Sequence, residues 1–417
     1  MKTLKTTILI LLLAILSTAC KKNELVIVLT NDTSVERVDE AVTISRADLE
    51  KQNGKISMGF VPMLVAEGGD VIPSQVDDLN GDGEWDELFT QVNIPANSSL
   101  NLKVAIVKPK SLPAFTQRSN AWLASPQEDG SYREVKKVER PKITRENHGQ
   151  TSKYFQFEGP GWENDRVGFR NYFDERNGND IFGKRTPEMV LQNVGVKEDY
   201  HALQDWGMDI LKVGASLGAG SIAVEINGTL HRVGPNADGS YELVSNGPLR
   251  SIFRLTFENW IIEDQNLSVV HEISIHGGAW YYDSKVTVTG VATEFAVVTG
   301  ITTIDLKDIK AQFNDYENGV VSLSTHDKQT IEGEYLGMAV MLAKDNNIDH
   351  AYLNADAKDI NHTYALRMKT LANNPVSYRF YSAWELSDNG FSNSEYFEDM
   401  LKRDALCMAQ PVKVSFK

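Results

Sequence analysis

The strongest constraint on the fold is a series of long strand-like segments, many of which alternate apolar with polar residues. From about residue 220 onward they follow one another with turn residues between them: SIAVEIN, SIFRLTFENW, LSVVHEISIH, YYDSKVTVTG, VVSLST, GMAVMLA, TYALRMKTL and VSYRFYSAWEL. Alternation is what half-buried antiparallel strands need, because successive side chains point to opposite faces of a sheet. So many long strands without intervening helices predict an all-β fold with a large antiparallel β-sandwich.

A smaller group of strand-like segments precedes this region. ELVIVLTN (24–31), MGFVPMLV (58–65) and NLKVAIVK (101–108) are separated by turn-rich sequence, and no helix of convincing period lies between them. We therefore predict a smaller N-terminal β-sandwich region over residues 20–110. A stretch bearing Pro and Ser predicts a connector over 111–135, and the large β-sandwich catalytic domain then occupies 136–417.

One helix is expected near the end of the chain. Ser392 and Glu395 have the spacing of a capping box, and an apolar face follows at Phe397, Met400, Leu401 and Ala405. The final segment, QPVKVSF, reads as a last strand. The helix therefore has a packing role in this interpretation.

The first twenty residues indicate the compartment. Lys2 and Lys5 precede an apolar run over 8–16, and small residues lead to Ala19 and Cys20. This is the plan of a signal peptide over 1–19, and a Cys at the cleavage point predicts lipidation of Cys20 and a membrane-anchored lipoprotein. Lysines after Cys20 favour the periplasm over the cell surface. Plain secretion is the simpler alternative.

The charge excludes one class of partner. The formal net charge is −15 at pH 7, so nucleic acid is not expected as a ligand. An anionic substrate remains compatible with this charge if a few Arg and Lys residues gather in one cleft, because screening makes the local field dominant at contact distance.

The segment QVDDLNGDGEWDELF, residues 75–89, combines acidic residues with a glycine-rich bend. Asp78, Asn80, Asp82 and Asp86 fall at positions 1, 3, 5 and 9 of a calcium loop, but Phe89 stands where that loop needs a bidentate Glu. The flanking residues indicate strands, so a tight turn is the slightly favoured interpretation and a structural calcium site is the alternative. No other cofactor is required by the sequence.

Residues 159–221 have neither clean strand alternation nor a sustained helical stripe. Long irregular segments inside compact domains are usually functional or disordered, and the many aromatic residues disfavour disorder. Arginines and aromatic rings together suit a uronic acid, because an Arg fork holds a carboxylate and aromatic faces stack on sugar rings. The plainer alternative is a structural network of ion pairs.

Several motifs carry a resemblance to a known family. WENDRVGFRNYFD, DIFGK, DYHALQDWGMDILKVG and SLGAGSIA, together with QVDDLNGDGEWDELF, resemble the bacterial family catalogued as domain of unknown function 4861 over nearly all of the mature chain. The resemblance implies a galactose-mutarotase-like supersandwich and a carbohydrate-degrading role, similar to an oligosaccharide dehydratase acting on ulvan fragments. It supplies no residue roles.

The chemistry of such a dehydratase defines the groups to look for. A lyase of this kind removes the C5 proton of a terminal uronate and expels the C4 hydroxyl as water, which leaves a 4,5-unsaturated uronate. It needs a cation on the carboxylate, a base at C5 and an acid at the departing oxygen. Arg166 and Arg170 are the candidates for the cation.

The remaining roles fall to other residues of the same segment. His201 is the candidate base, oriented by Asp205, because an imidazole titrates near pH ~6.5. Tyr172 and Tyr200 are candidate acids, with Lys184 as a substitute. Trp162 and Trp206 are candidate sugar-stacking rings, although large aromatics are more often core residues. The other histidines carry less weight than His201; among them, His276 in HGGAWYY is the candidate for lining the same cleft, and the rest lack partners at metal spacing.

Two further functions stay open at this point. A polysaccharide lyase would break a glycosidic bond by the same β-elimination. A non-catalytic glycan-binding lipoprotein would need aromatic platforms but no base.

Overall fold

The computed structural model describes residues 25–306 and 310–417. The predicted signal peptide and Cys20 lie outside this range. The chain is built mostly of antiparallel strands, which make up 49% of it. The predicted all-β class, a large antiparallel β-sandwich with a smaller N-terminal one, is confirmed.

One layer of the large sandwich is a nine-stranded sheet, which we call the large sheet. Its neighbouring strands are all antiparallel. In spatial order they are Lys137–Glu139, Asp238–Asn246, Arg250–Ile262, Gln265–His276, Tyr281–Thr289, Val376–Trp384, Tyr335–Ala343, Val320–Lys328 and Gln312–Tyr316.

The opposite layer consists of two five-stranded sheets joined by a bridge between Asn179 and Gly218. The first, which we call the short-strand sheet, has the order Gly207–Asp209, Asn179–Lys184, Val167–Asn171, Gly161–Asn164 and Ser119–Trp122. The second has the order Thr229–Arg232, Ala219–Ile226, Phe295–Thr302, Thr363–Lys369 and Asn347–Leu353. The main hydrophobic core lies between the two layers, with Trp162, Phe253 and Val297 fully or almost fully buried in it.

The N-terminal unit contains two smaller sheets around a separate core that includes Ile27, Leu64 and Leu88. One sheet has the order Lys413–Phe416, Val26–Asn31, Ser98–Val107, Val61–Ala66 and Val71–Ile72; the other has the order Arg37–Ser45, Glu87–Ile94 and Ser74–Asp77. The last strand of the chain thus pairs with the first described strand. The four residues Lys413–Phe416 lie in this N-terminal sheet, although the sequence groups them with the large sandwich.

Two α-helices accompany the sheets in the described part of the chain. Ser394–Ala409 buries Phe397, Met400, Leu401 and Ala405 against the large sheet, as predicted. Its N-cap is Asn393, whose side chain accepts a hydrogen bond from the Glu395 amide, so the predicted capping box at Ser392 is off by one residue. The helix Arg46–Asn53 was not predicted, because it buries one residue and shows no apolar stripe.

Short elements complete the chain. A small hairpin pairs Ala124–Pro126 with Tyr132–Glu134. Single 3-10 turns or short runs occupy Pro109–Ser111, Arg145–Lys153, Gln156–Glu158, Lys344–Asn346 and Asn389–Ser392. Within the described residues, we find no helix whose length and apolar character would let it cross a membrane.

Residues 159–221 are more regular than the sequence indicates, since they supply four strands of the short-strand sheet. The reason is burial on both faces. Trp162 and Phe169 face the main core, while Arg170 and Asp180 are buried on the opposite face. A strand with polar residues buried on one side has no solvent-facing period, which is the usual signal of a strand in sequence.

The acidic stretch at 78–86 connects two strands, Ser74–Asp77 and Glu87–Ile94, as its flanks predict. Its side chains cap backbone amides: Asp78 accepts from Gly81 and Gly83, and Asp86 accepts from Leu79. This is the hydrogen bonding of a tight turn. Calcium binding by this loop stays a prediction.

Candidate active site

Four of the predicted residues meet around the middle strand of the short-strand sheet, Val167–Asn171. Arg170 lies at the centre, and its guanidinium donates to the hydroxyls of Tyr172 and Tyr200 at 2.8 and 3.1 Å. Asp180 and Asp209 accept from the same guanidinium at 2.8 and 2.6 Å. We call these residues, with His201, the Arg170 cluster.

Arg170 is not a fork for a substrate carboxylate, which corrects the prediction. Its side chain is 2% exposed, and its nitrogens are occupied by the two carboxylates, the two tyrosines and the carbonyl of Phe157. A guanidinium has five N–H donors, and this arrangement leaves none directed to a ligand. Arg170 therefore holds the cluster together from inside.

His201 lies at the solvent side of this cluster and is 58% exposed. Its carboxylate partner is Asp199, at 3.0 Å from Nδ1, and not the exposed Asp205 that the sequence suggested. Its Nε2 lies 3.9 Å from Asp209. Burial, reinforced by the nearby charge of Asp180, raises the pKa of Asp209 well above its usual range.

Three other predicted residues are placed in structural roles. Trp162 is fully buried and stacks on Phe169, so it cannot contact a sugar. Lys184 is buried and donates to Glu163 and to the carbonyls of Asn164 and Glu188, which uses all three ammonium protons. It is therefore not available as an acid. Trp206 is partly buried and packs edge-on against Phe182.

Arg166 lies apart from the Arg170 cluster, in the turn between Gly161–Asn164 and Val167–Asn171. Its guanidinium carbon is 5.5 Å from the ring centre of Trp280, a cation–π contact that holds the side chain. The side chain is exposed and has no ion-pair partner among the residues described. It is thus a positioned cation with donors to spare.

Beside Arg166 a cavity of about 120 Å³ opens between the N-terminal unit, the large sheet and the C-terminal helix. We call it the junction cleft. The side chains used below are Asp39, His276, Trp280, Tyr281 and Arg379, and all five line it. Pockets at the junction of two structural units are frequent ligand sites.

His276 is buried in the wall of the cleft, and its hydrogen bonds define its tautomer. Its Nδ1 is 3.1 Å from the carbonyl of Gly277 and 3.4 Å from Nε2 of Gln91, but that nitrogen makes shorter contacts, of 2.6 and 3.2 Å, with the carbonyls of Gly277 and Asp39. Nδ1 therefore carries the proton and Nε2 the lone pair. Burial also lowers the pKa of His276, so the ring is neutral at neutral pH.

Tyr281 and Arg379 complete the chemical groups of the cleft. The Tyr281 ring meets His276 edge-on at 5.6 Å, and the guanidinium carbon of Arg379 lies 4.4 Å from the Tyr281 ring centre. Burial raises the pKa of Tyr281, so its hydroxyl keeps its proton at neutral pH. Arg379 donates through Nε to Asp283 at 3.0 Å.

The N-terminal unit contributes Asp39, whose φ of 52° is unusual for a residue other than glycine. Arg118 holds its carboxylate through two bonds of 2.7 and 2.9 Å. Both side chains pack against Gly277 and Gly278, the glycine pair of HGGAWYY. A Cβ at Gly277 would lie 2.7 Å from Arg118, and one at Gly278 would lie 2.5 Å from Asp39. The two glycines therefore permit the close approach of the two units.

The two described ranges contain no group of three or more His, Cys, Asp or Glu side chains arranged to hold a metal ion. The chemistry considered below uses protein groups only.

The comparisons with known proteins give the family. The model of the family described as "Domain of unknown function (DUF4861)" matches residues 29–414. The chain belongs to this family. A protein of Formosa agariphila described as "Uncharacterized protein P7" is 24% identical over an alignment of 426 positions, which covers 97% of this chain and 97% of that protein.

Two solved structures are similar to this chain. An alpha-mannosidase from Enterococcus faecalis V583 is 9% identical with a TM-score of 0.50, and the match covers 95% of this chain and 46% of the mannosidase. The chain thus spans about half the length of that protein. A Klebsiella pneumoniae protein assigned as an aldose 1-epimerase is 9% identical with a TM-score of 0.36, over 71% of this chain and 97% of its own. At these identities the mannosidase match concerns the fold alone.

The sequence singled out Arg166 and, with less weight, His276, but it named none of the other side chains used here from the junction cleft. Asp39, Tyr281 and Arg379 come from three distant segments, and only the pairing of Tyr281–Thr289 with Val376–Trp384 brings the last two together. The usable signal was the cluster HGGAWYY, in which two glycines precede aromatic residues.

Proposed function

We propose that this DUF4861 protein is a carbohydrate-active hydro-lyase that dehydrates a terminal uronic acid of an anionic oligosaccharide, such as one from ulvan, at the junction cleft. The observation that carries the proposal is the position of Arg166. Arg166 has no ion-pair partner in the described part of the chain and is held on Trp280, which lines the same cavity as the neutral imidazole of His276. Such a cation suits a carboxylate ligand.

The proposed reaction assigns one step to each group. Arg166 binds the uronate carboxylate and lowers the cost of negative charge next to C5. Nε2 of His276 takes the C5 proton, and the C5–H electron pair becomes the C4–C5 double bond. The C4–O bond breaks, and Tyr281 donates its proton to the departing oxygen, which leaves as water. Proton transfer from His276 to Tyr281 through solvent then restores both groups.

Arg379 and Asp39 have positioning roles in this proposal. Arg379 lies over the Tyr281 ring and favours the phenolate that forms when Tyr281 loses its proton. Asp39 forms the part of the cleft wall that packs against the glycine pair, and Arg118 holds the Asp39 carboxylate in place.

The test is an activity screen with oligosaccharides that end in glucuronate or iduronate. The proposal expects near-ultraviolet absorbance together with the loss of one water by mass. Arg166→Ala should lower kcat/KM by about 10- to 100-fold, because a charged hydrogen bond is worth about 1.5–3 kcal/mol. Arg185→Ala, which removes an exposed arginine of the same segment, is the matched control. The absence of both signals across ulvan, pectic and glycosaminoglycan fragments would reject the proposal.

Two alternatives give different results in the same screen. A polysaccharide lyase would give the same absorbance but smaller products, because it breaks a glycosidic bond. A non-catalytic glycan-binding protein would bind these oligosaccharides without any product.

For placement, we propose that the chain is anchored to a membrane through lipidated Cys20, with its body in the periplasm. The support is the sequence of the first twenty residues alone. In the periplasm, soluble oligosaccharides could reach the protein.

A further inference from the structure

A second cavity, of about 400 Å³, shares Asp39 with the junction cleft. The side chains of its wall that matter here are Asp39, Gln91, Asn93, Phe115, Thr116 and Arg118. We call it the connector pocket, because Phe115, Thr116 and Arg118 belong to the predicted connector. Asp39 lines both cavities, so one side chain forms part of the wall between them.

Phe115 has an unusual environment for its type. It is partly exposed, it belongs to none of the hydrophobic clusters of the described residues, and its ring meets no aromatic or cationic partner there. A phenylalanine that does not pack into a core is available for a ligand, and the flat face of its ring suits the apolar face of a sugar.

Gln91 supplies a second, independent observation. The residue is 8% exposed, and its Oε1 is buried without a hydrogen-bond partner in residues 25–306 and 310–417. Its amide nitrogen is fixed by the carbonyls of Gly277 and Asp39, so the orientation of the group is set. A buried acceptor without a donor is costly, and a ligand hydroxyl would satisfy it.

We infer that the connector pocket is a subsite for the second sugar ring of the oligosaccharide, with the ring on Phe115 and a hydroxyl donating to Gln91 Oε1. This inference rests on the proposed function for the identity of the first ring. It makes the preferred substrate a disaccharide or longer, and it gives the N-terminal unit and the connector a direct part in substrate choice.

The experiment measures binding by calorimetry, with glucuronic acid and with a disaccharide that ends in glucuronate. Wild type should bind the disaccharide about tenfold more tightly, since one buried hydrogen bond and one ring contact together exceed about 1.4 kcal/mol. Phe115→Ala should remove this preference and leave the affinity for glucuronic acid unchanged. Thr116→Trp, which places a large ring at an exposed position of the pocket, should do the same by filling it. Tyr352→Ala, on a distant edge strand, is the matched control.

The outcomes separate the subsite from the proposed reaction. If the disaccharide binds through Phe115 and no turnover is found, the subsite stands and the hydro-lyase proposal fails. If turnover is found but Phe115→Ala weakens both ligands equally or neither, the subsite is wrong. A disaccharide that binds no more tightly than glucuronic acid overturns it as well.

Discussion

The buried ion pair between Glu163 and Lys184 tests whether Lys184 has the structural role that its contacts indicate. Lys184 Nζ donates to Glu163 Oε2 at 2.6 Å, and Glu163 Oε1 accepts from the amides of Val190 and Leu191 at 2.8 and 2.9 Å. The pair therefore fixes the start of the segment that carries Tyr200 to the short-strand sheet. Both side chains are at most 1% exposed.

Glu163→Gln keeps an acceptor for the two amides but leaves the ammonium without a charge partner. Breaking a buried pair from one side costs about 3–5 kcal/mol, because the remaining charge stays in a low-dielectric interior. Lys184→Met alone should cost a similar amount. The double variant should be more stable than the sum of the two single changes predicts, since it removes both charges together.

The measurement is the free energy of unfolding from urea titration of the four proteins. Lys402→Met breaks an ion pair between exposed side chains and should have no measurable effect, which makes it the control. Additive single effects in the double variant would show that the pair is not coupled. If Lys184→Met keeps full stability but loses turnover, Lys184 is an acid of the reaction, the substitute role that the sequence suggested.

Three further predictions concern pH, calcium and anchoring. Burial lowers the pKa of His271 to about 3, so its contribution to the free energy of unfolding should be fully present above pH ~6.5 and should fall by up to about 5 kcal/mol as the pH drops to 3. His271→Gln should weaken this pH dependence in urea titrations at pH 4 and 7. An unchanged difference between the two pH values would refute the prediction. If the 78–86 loop binds calcium, a chelator should lower the melting temperature and Asp82→Ala should reproduce the loss, whereas no change under either treatment would show that the loop is only a turn. Cys20→Ala should release the protein from the membrane fraction, and retention there would exclude the lipid anchor.

The sequence predicted the parts of the fold whose pattern is local. The alternating segments after residue 220 became long strands such as Arg250–Ile262 and Gln265–His276, because one face of each meets the core. The apolar face of the C-terminal helix was equally readable. Local periodicity fails where both faces of a strand are buried, as at Val167–Asn171, and it cannot show that Lys413–Phe416 returns to the first strand.

The sequence indicated which kinds of residue form the candidate site, but not which of these residues lie together. Residues 159–221 contain the arginines and aromatic residues from which a site was predicted, yet strand register places Arg170 inside a buried cluster and Arg166 in a turn beside Trp280. Four positions separate them in sequence, and the sheet puts them in different environments. The partners of Arg166 come from segments more than a hundred residues away, which no local pattern reports.

The measurement that tests the central claim most directly compares the turnover of His276→Ala with that of His201→Ala on one glucuronate-ended oligosaccharide. If the junction cleft is the catalytic centre, His276→Ala should lose about 10²–10⁴-fold in kcat, as expected for a missing general base, while His201→Ala should retain activity. Circular dichroism and melting curves show whether each variant is folded. The opposite result, loss with His201→Ala and retention with His276→Ala, would place catalysis at the Arg170 cluster and contradict the account.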